Sequence, residues 1–174
     1  GVHQDLENKT LRLVSDAFSE DPLRVFRVAL FAAKLQSLGF KIELQTQLLL
    51  QQIVSSRELW ELTLERVWQE NSKALLTDSP GEYFEVLKSS NALAQVFPNI
   101  YYQFSDPDSS HLGLAALNAI AKQYTDPNIR FAGLIGGLYF NETEDEYTKI
   151  KKLANTFPLS NTCKKLLTLT VNTQ

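Results

Sequence analysis

The chain has 174 residues, 44% of them hydrophobic and 21% charged, with a net charge of −3. That composition supports a packed globular core and excludes a global field drawing the molecule onto nucleic acid or an anionic membrane, so any such contact rests on a local patch. The single cysteine, Cys163, excludes an intramolecular disulfide and fits a reducing, cytoplasmic setting. Neither a membrane span nor a signal peptide is predicted. Methionine is absent even at position 1, which predicts a piece of a longer protein.

In chain order, residues 5–14 alternate over a short run, with Leu11 and Leu13, that could form a strand. The pattern then becomes helical. Asp21-Pro22 reads as an N-cap followed by a proline in the first turn, and Leu23, Phe26, Leu30, Phe31, Leu35 and Leu38 form one apolar stripe that Gly39 stops. A second helix is predicted over 44–55 with Leu48, Leu49, Leu50 and Ile53 on its core side. A third, capped by Thr63, carries Leu64, Val67, Trp68, Leu75 and Leu76. Ser79-Pro80-Gly81-Glu82 reads as a capping box opening a fourth. Phe97-Pro98 and residues 103–110, QFSDPDSS, read as a linker rich in turn residues. Beyond it helices are predicted over His111–Tyr124, from Asp126-Pro127 through Leu138, from Thr143 through Leu153, and from Ser160. Trp60 and Trp68, spaced among leucines, read as packing residues. The whole is an all-α chain.

Residues 19–27, SEDPLRVFR, place an acid and two arginines at the start of an apolar helix. The simple reading is a cap, with Asp21 and Arg24 paired at i+3 for about 0.2–0.5 kcal/mol. The other is base recognition. Adenine and cytosine share an edge with an amino donor beside an unprotonated ring nitrogen. Guanine and uracil present a carbonyl and a ring N–H instead. A carboxylate beside a guanidinium therefore suits A and C, and a wrong base leaves polar groups unpaired at about 1–3 kcal/mol each. Arg27, one turn on, could support the turn or reach a sugar or phosphate.

Glu20-Asp21-Pro22-Leu23-Arg24-Val25-Phe26-Arg27 resembles the base-selecting motif of bacterial class II tRNA nucleotidyltransferases, the CCA-adding enzymes. Thr63-Leu64-Glu65-Arg66-Val67-Trp68-Gln69-Glu70 is similar to the motif that follows it in that family. The run Gly1–Arg12 looks like the end of the segment joining catalytic head to neck, and Pro98-Asn99-Ile100 closes the neck.

The resemblance implies that Asp21 and Arg24 bind CTP or ATP, that Arg27 assists, and that Glu20, Glu65, Arg66 and Glu70 hold the turn. It also implies a neck over residues 1–100 and a helical body over 101–174. Many relatives carry a third arginine, in Arg-Phe-Ala-Ala, where this chain has Leu30-Phe31-Ala32-Ala33, so phosphate or ribose contacts there are expected to be weaker or differently supplied. A related poly(A) polymerase branch has a similar turn, and a helical RNA-binding or adaptor module without catalysis is the other alternative.

The family's Mg²⁺-binding D-x-D pair lies in an N-terminal head, and this chain is expected to lack it. Asp106-Pro107-Asp108 reads as a loop, so the chain as given is expected to hold no cofactor and to be inactive alone. Residues 129–138, IRFAGLIGGL, resemble the helix of a metal-dependent HD phosphohydrolase with Gly136-Gly137 in the His-Asp position. His111 could match the upstream ligand, but two histidines in the chain cannot build such a site. The body is therefore expected to be a degenerate HD-like one, with the glycines kept for close helix packing. Lys149, Lys151, Lys152, Lys164 and Lys165 form the one local basic cluster, either a solvated face or a contact for the tRNA acceptor and T arms.

Overall fold

The computed structural model describes residues 2–13 and 21–140, together with positions 148, 161, 164 and 165. Nine α-helices, two short 3-10 turns and one short strand pair stand out among the described residues, so the fold is all-α. The chain divides into two compact units, Gly1–Val96 and Phe97–Gln174. The helices expected from Thr143 and from Ser160 fall largely outside the described residues, as do Glu20, Lys149, Lys151, Lys152 and Cys163.

The first unit opens with α1 (Val2–Glu7), which the alternating pattern did not predict, followed by β1 (Thr10–Leu11). β1 pairs in parallel with β2 (Lys41–Ile42), Thr10 opposite Lys41 and Leu11 opposite Ile42. The Leu13 amide donates to Thr46 Oγ1 at 2.9 Å, and Arg12 bridges Asp5 and Glu43 at 3.2 and 3.3 Å. The opening segment is thus clipped to the start of α3 (Leu44–Ser55).

Between the strands runs α2 (Arg24–Leu35), which packs mainly on α5 (Pro80–Ser89) and α4 (Leu64–Leu75). Phe26, Tyr83, Phe84, Leu75 and Leu87 are fully buried where these helices meet. The Tyr83 hydroxyl donates to Asn71 Oδ1 inside that core, a partner that a buried phenol requires. α6 (Ala92–Val96) completes the unit. After α2 a 3-10 turn over Gln36–Leu38 ends on Gly39 at φ +84°, the left-handed stop that its glycine predicts.

Several local expectations change. α2 begins at Arg24, with Asp21 in the turn before it, and Phe31 and Leu38 on its stripe are exposed. In α3 the buried residues are Thr46, Leu50, Ile53 and Val54, whereas Leu48 is exposed. Three consecutive leucines span 200° of a helix, so they cannot all face one core. Thr63 caps α4 by accepting from the Arg66 amide at 3.3 Å, but Leu64 and Leu76 at its ends are exposed. Ser79 makes no side-chain cap, and Glu82 accepts from Gln36 instead, so the capping box does not form. Trp60 is 67% exposed, beneath the guanidinium of Arg57 at 5.0 Å, and is no core residue, while Trp68 is half-buried.

In the second unit, the expected linker is helical. α7 (Pro98–Ser105) buries Ile100, Gln103 and Phe104, and α8 (Pro107–Ala121) follows after one residue. The turn-forming residues of 103–110 act here as a cap: Asp106 accepts from the Ser109 amide at 2.9 Å. Asp126 does the same for α9 (Pro127–Leu138), accepting from the Asn128 amide at 2.8 Å.

α8 and α9 pack closely. A Cβ on Gly137 would lie 2.5 Å from the Leu112 carbonyl oxygen and 2.7 Å from Gly113 Cα, so the two backbones meet where no side chain fits. Arg130, 7% exposed, donates from Nε to the Tyr124 carbonyl at 2.6 Å and from Nη2 to the Ala121 carbonyl at 2.9 Å. It thereby satisfies the carbonyl of the last residue of α8, which helix geometry leaves open, and one in the turn that follows.

Candidate nucleotide-reading site

The site grows from the turn Asp21-Pro22-Leu23. Asp21 Oδ1 accepts from the Leu23 amide at 3.1 Å, closing an Asx-type turn, and the Asp21 carbonyl accepts from the Arg24 amide at 3.1 Å. Pro22 and Leu23 are buried, which anchors the turn against the core. Arg24 is then the first residue of α2, and Arg27 lies one turn on.

Asp21 and Arg24 do not pair with each other. Asp21 Oδ2 accepts from Arg66 Nη2 at 2.6 Å, across 45 residues of sequence. Arg24 Nη2 reaches Glu58 Oε2 at 3.4 Å, across 34 residues. The i+3 pair predicted from spacing is replaced because both Asp21 oxygens already have partners: the amide two residues on and the guanidinium from α4. The Leu23 amide, the Arg66 hydrogen bond and charge, and the nearby charge of Arg27 together hold the Asp21 carboxyl below its ordinary 3.8, against a partial opposing effect of burial. At neutral pH it is a pure acceptor.

Arg27 Nε lies 3.9 Å from Glu70 Oε1, and Lys73 Nζ lies 3.6 Å from the same oxygen. Glu70 is only 4% exposed, so its charge needs these two cations. Arg66, Glu70 and Lys73 recur along one face of α4, which presents an alternating charge row to the start of α2. Three carboxylates (Asp21, Glu58, Glu70) meet four cations (Arg24, Arg27, Arg66, Lys73), a surplus of one positive charge.

Of the residues expected to hold the turn, Arg66 contacts Asp21 directly and Glu70 contacts Arg27. Glu65 is exposed in the first turn of α4 and makes no described hydrogen bond or ion pair to the turn. Glu20 lies outside the described residues. Leu30, standing where the resemblance places an arginine in many relatives, is 5% exposed and packs in the core, so it supplies no polar group to a ligand. Glu58 and Lys73 were missed. Glu58 follows Arg57, whose left-handed φ of +64° turns the chain after α3, and no spacing rule links it to Arg24.

Asp106-Pro107-Asp108 is a helix start, not a loop, and its first carboxylate is engaged as a cap. The two acids therefore do not fit a Mg²⁺ site. Among the described residues no three His, Cys, Asp or Glu side chains are grouped to hold a metal ion. His111 is exposed on α8. Lys165 is exposed, and Lys164 is half-buried and has an interaction partner. A cleft of about 620 Å³ in the first unit, between Gly39, Lys41, Gln47, Glu82 and Ser89, shares no lining residue with the Asp21 turn. Among the described residues no helix is long and apolar enough to cross a membrane.

Residues 39–103 match a protein family described as "Probable RNA and SrmB- binding site of polymerase A". The chain is 43% identical over 145 residues to a CCA-adding enzyme of Buchnera aphidicola, an alignment covering 75% of this chain and 34% of the relative. It is 46% identical over 147 residues to a multifunctional CCA protein of Vibrio vulnificus, covering 79% and 36%. A multifunctional CCA protein of Actinobacillus pleuropneumoniae is 54% identical over 107 residues, covering 62% and 26%. No solved structure matches the chain. The chain spans about a third of the length of the first curated relatives it matches. Over three quarters or more of its own length, the chain is thus akin to a part of the bacterial CCA-adding enzymes.

Proposed function

We propose that this chain is the neck and body of a cytoplasmic tRNA nucleotidyltransferase that adds or repairs the 3′-terminal CCA of tRNA, with residues 1–100 as neck and 101–174 as a degenerate HD-like body. Asp21 and Arg24 select CTP and ATP. The observation that carries this reading is the fixed Asp21 carboxylate, held ionised by the Leu23 amide and Arg66, in the turn that leads into Arg24, the first residue of α2. An ionised carboxylate accepts from the amino group of cytosine or adenine and repels the carbonyl that uracil or guanine puts there. Arg24 donates to the neighbouring ring nitrogen, and the surplus positive charge of the cluster, with Arg27 at its edge, attracts the triphosphate.

The fragment supplies base selection and RNA contact, with the acceptor and T arms of tRNA as partner. The lysine cluster that includes Lys164 and Lys165 is assigned to tRNA phosphates. Nucleotidyl transfer itself, with its Mg²⁺, belongs to an N-terminal head domain. A second reading has a specific basis: the matching family's description names polymerase A, which points to a parent adding A alone.

The test is nucleotide incorporation by the natural full-length protein on tRNA lacking CCA, with the four NTPs singly and together, repeated with Asp21→Ala and Arg24→Ala. Ordered C, C, A addition is expected, with each substitution lowering discrimination against UTP and GTP by about ten- to a hundredfold. A-only addition moves the parent to the polymerase branch. No incorporation by a folded protein overturns the enzyme reading in favour of an RNA-binding adaptor.

A further inference from the structure

Arg24 is the least satisfied charge of the site. Its side chain is only 19% exposed, its Nη2 has Glu58 as partner, and its Nε is buried without any hydrogen-bond acceptor. A buried donor left unpaired is costly, and a guanidinium is a planar fork whose donors turn together. Whatever grips one nitrogen therefore sets the plane in which the others are offered. Asp21 is pinned from two sides, but nothing on α2 or α4 does the same for Arg24 among the described contacts. That hold comes from a separate segment.

The segment is the 3-10 turn Glu58–Glu61. It is firmly seated. Leu59 is 3% exposed, the turn packs against α6, and Gln95 Nε2 donates to the Val54 carbonyl at 2.8 Å just before it. Arg57, at φ +64°, reverses the backbone so that Glu58 emerges toward Arg24. Glu58 itself is 37% exposed in its side chain, and Arg24 is its one described partner, so it contributes little to the core. A rigid turn that presents a carboxylate to a half-satisfied guanidinium orients that guanidinium.

We propose that Glu58 is a positioning residue for nucleotide selection: it fixes the plane of the Arg24 guanidinium, so that the remaining donors meet the ring nitrogen of cytosine or adenine. This rests on the base-reading role of Asp21 and Arg24 proposed above. Without Glu58, Arg24 keeps its charge and its place on α2 but loses its orientation. Discrimination then falls while the attraction for triphosphate stays.

The experiment compares Glu58→Ala, Glu58→Gln, Arg24→Ala and Arg24→Ala/Glu58→Ala in the natural full-length protein, with thermal melting as the folding control. The readout is kcat/KM for each of the four NTPs on tRNA lacking CCA. Glu58→Ala is expected to lower the preference for CTP over UTP about tenfold, with Glu58→Gln between it and the unaltered protein. In the Arg24→Ala background the further effect of Glu58→Ala is expected to vanish, because the two act through one contact. If Glu58→Ala and Glu58→Gln keep full selectivity while Arg24→Ala loses it, Glu58 has no positioning role and the base-reading proposal stands. Additive effects in the double variant also overturn the inference, since Glu58 would then act without Arg24. Should Arg24→Ala itself keep full selectivity, the base-reading proposal fails and this inference falls with it. If Glu58→Ala does not fold, Glu58→Gln carries the same comparison.

Discussion

The Asp21 turn and the α8–α9 seam solve opposite problems with opposite means. The turn is held by charges on long side chains, three of the pairs reaching across 34 to 45 residues of sequence, with three acids and four bases of which all but the buried Glu70 are at least partly exposed. The seam is held by the absence of side chains: Gly137 sits against the backbone at Leu112 and Gly113, and Gly133 lies under Ile120. Exposed ion pairs contribute about 0–1 kcal/mol each, so the turn can trade its partners for those of a ligand at small cost. A close backbone seam has no such latitude. The difference separates a surface built to exchange contacts from one built to keep them.

The largest effect on folding is therefore expected in the seam. Gly137→Ala places a methyl 2.5 Å from the Leu112 carbonyl oxygen, and because backbone rather than a flexible side chain must yield, a loss of about 3 kcal/mol is expected in denaturant unfolding. Gly133→Ala sharpens the point. There the clash is with Ile120 Cδ1 at 2.4 Å, the tip of a half-buried side chain that can rotate. The helix preference of Ala over Gly offsets it by about 1 kcal/mol, so stability should stay near that of the unaltered protein. Equal losses from both would mean that the seam is not the backbone contact described.

The charged turn should respond to pH instead. The folded Asp21 carboxyl lies below 3.8, so its contribution to stability is full at neutral pH and fades as pH falls below about 4 through the folded value. Asp21→Asn should thus be slightly less stable than the unaltered protein at pH 7, with the gap closing in acid. Glu82 runs the other way. Burial first, then Glu85, raises its carboxyl above 4.5, so its ionisation opposes folding as pH rises through that raised value. Glu82→Gln is expected to give the smallest change of all, a slight gain at pH 7 that disappears below about pH 4.5. Parallel pH curves for the two variants would break the contrast.

These two regions were not equally legible in the sequence. Pro80 and Pro127 open helices, Thr63 and Asp126 cap them, and Gly39 stops one, because those signals act within a few residues, whereas the same kinds of signal at Pro98, Asp106 and Pro107 read as a linker and open helices instead. Gly137 could be read as a close approach for the same reason: only a missing side chain explains glycine inside an apolar helix. Asp21, Arg24 and Arg66 were visible as a motif, but not who pairs with whom. The Asp21–Arg66 and Arg24–Glu58 partners are brought together by packing of α2 on α4 and by the turn after α3, which no local pattern encodes. Trp60 and Leu48 show the same limit, since helical spacing marks an apolar residue without saying whether another element covers it.

Arg130 has a consequence for motion. Its guanidinium, rooted in the first turns of α9, closes the Ala121 carbonyl at the end of α8 and the Tyr124 carbonyl just beyond it, and the glycine contacts lock the same two helices along their length. Neither helix can fray at that junction without breaking bonds belonging to the other. In hydrogen–deuterium exchange, the amides of the last turn of α8 and the first turns of α9 would accordingly lose protection together, as one opening unit rather than as two separate helix ends.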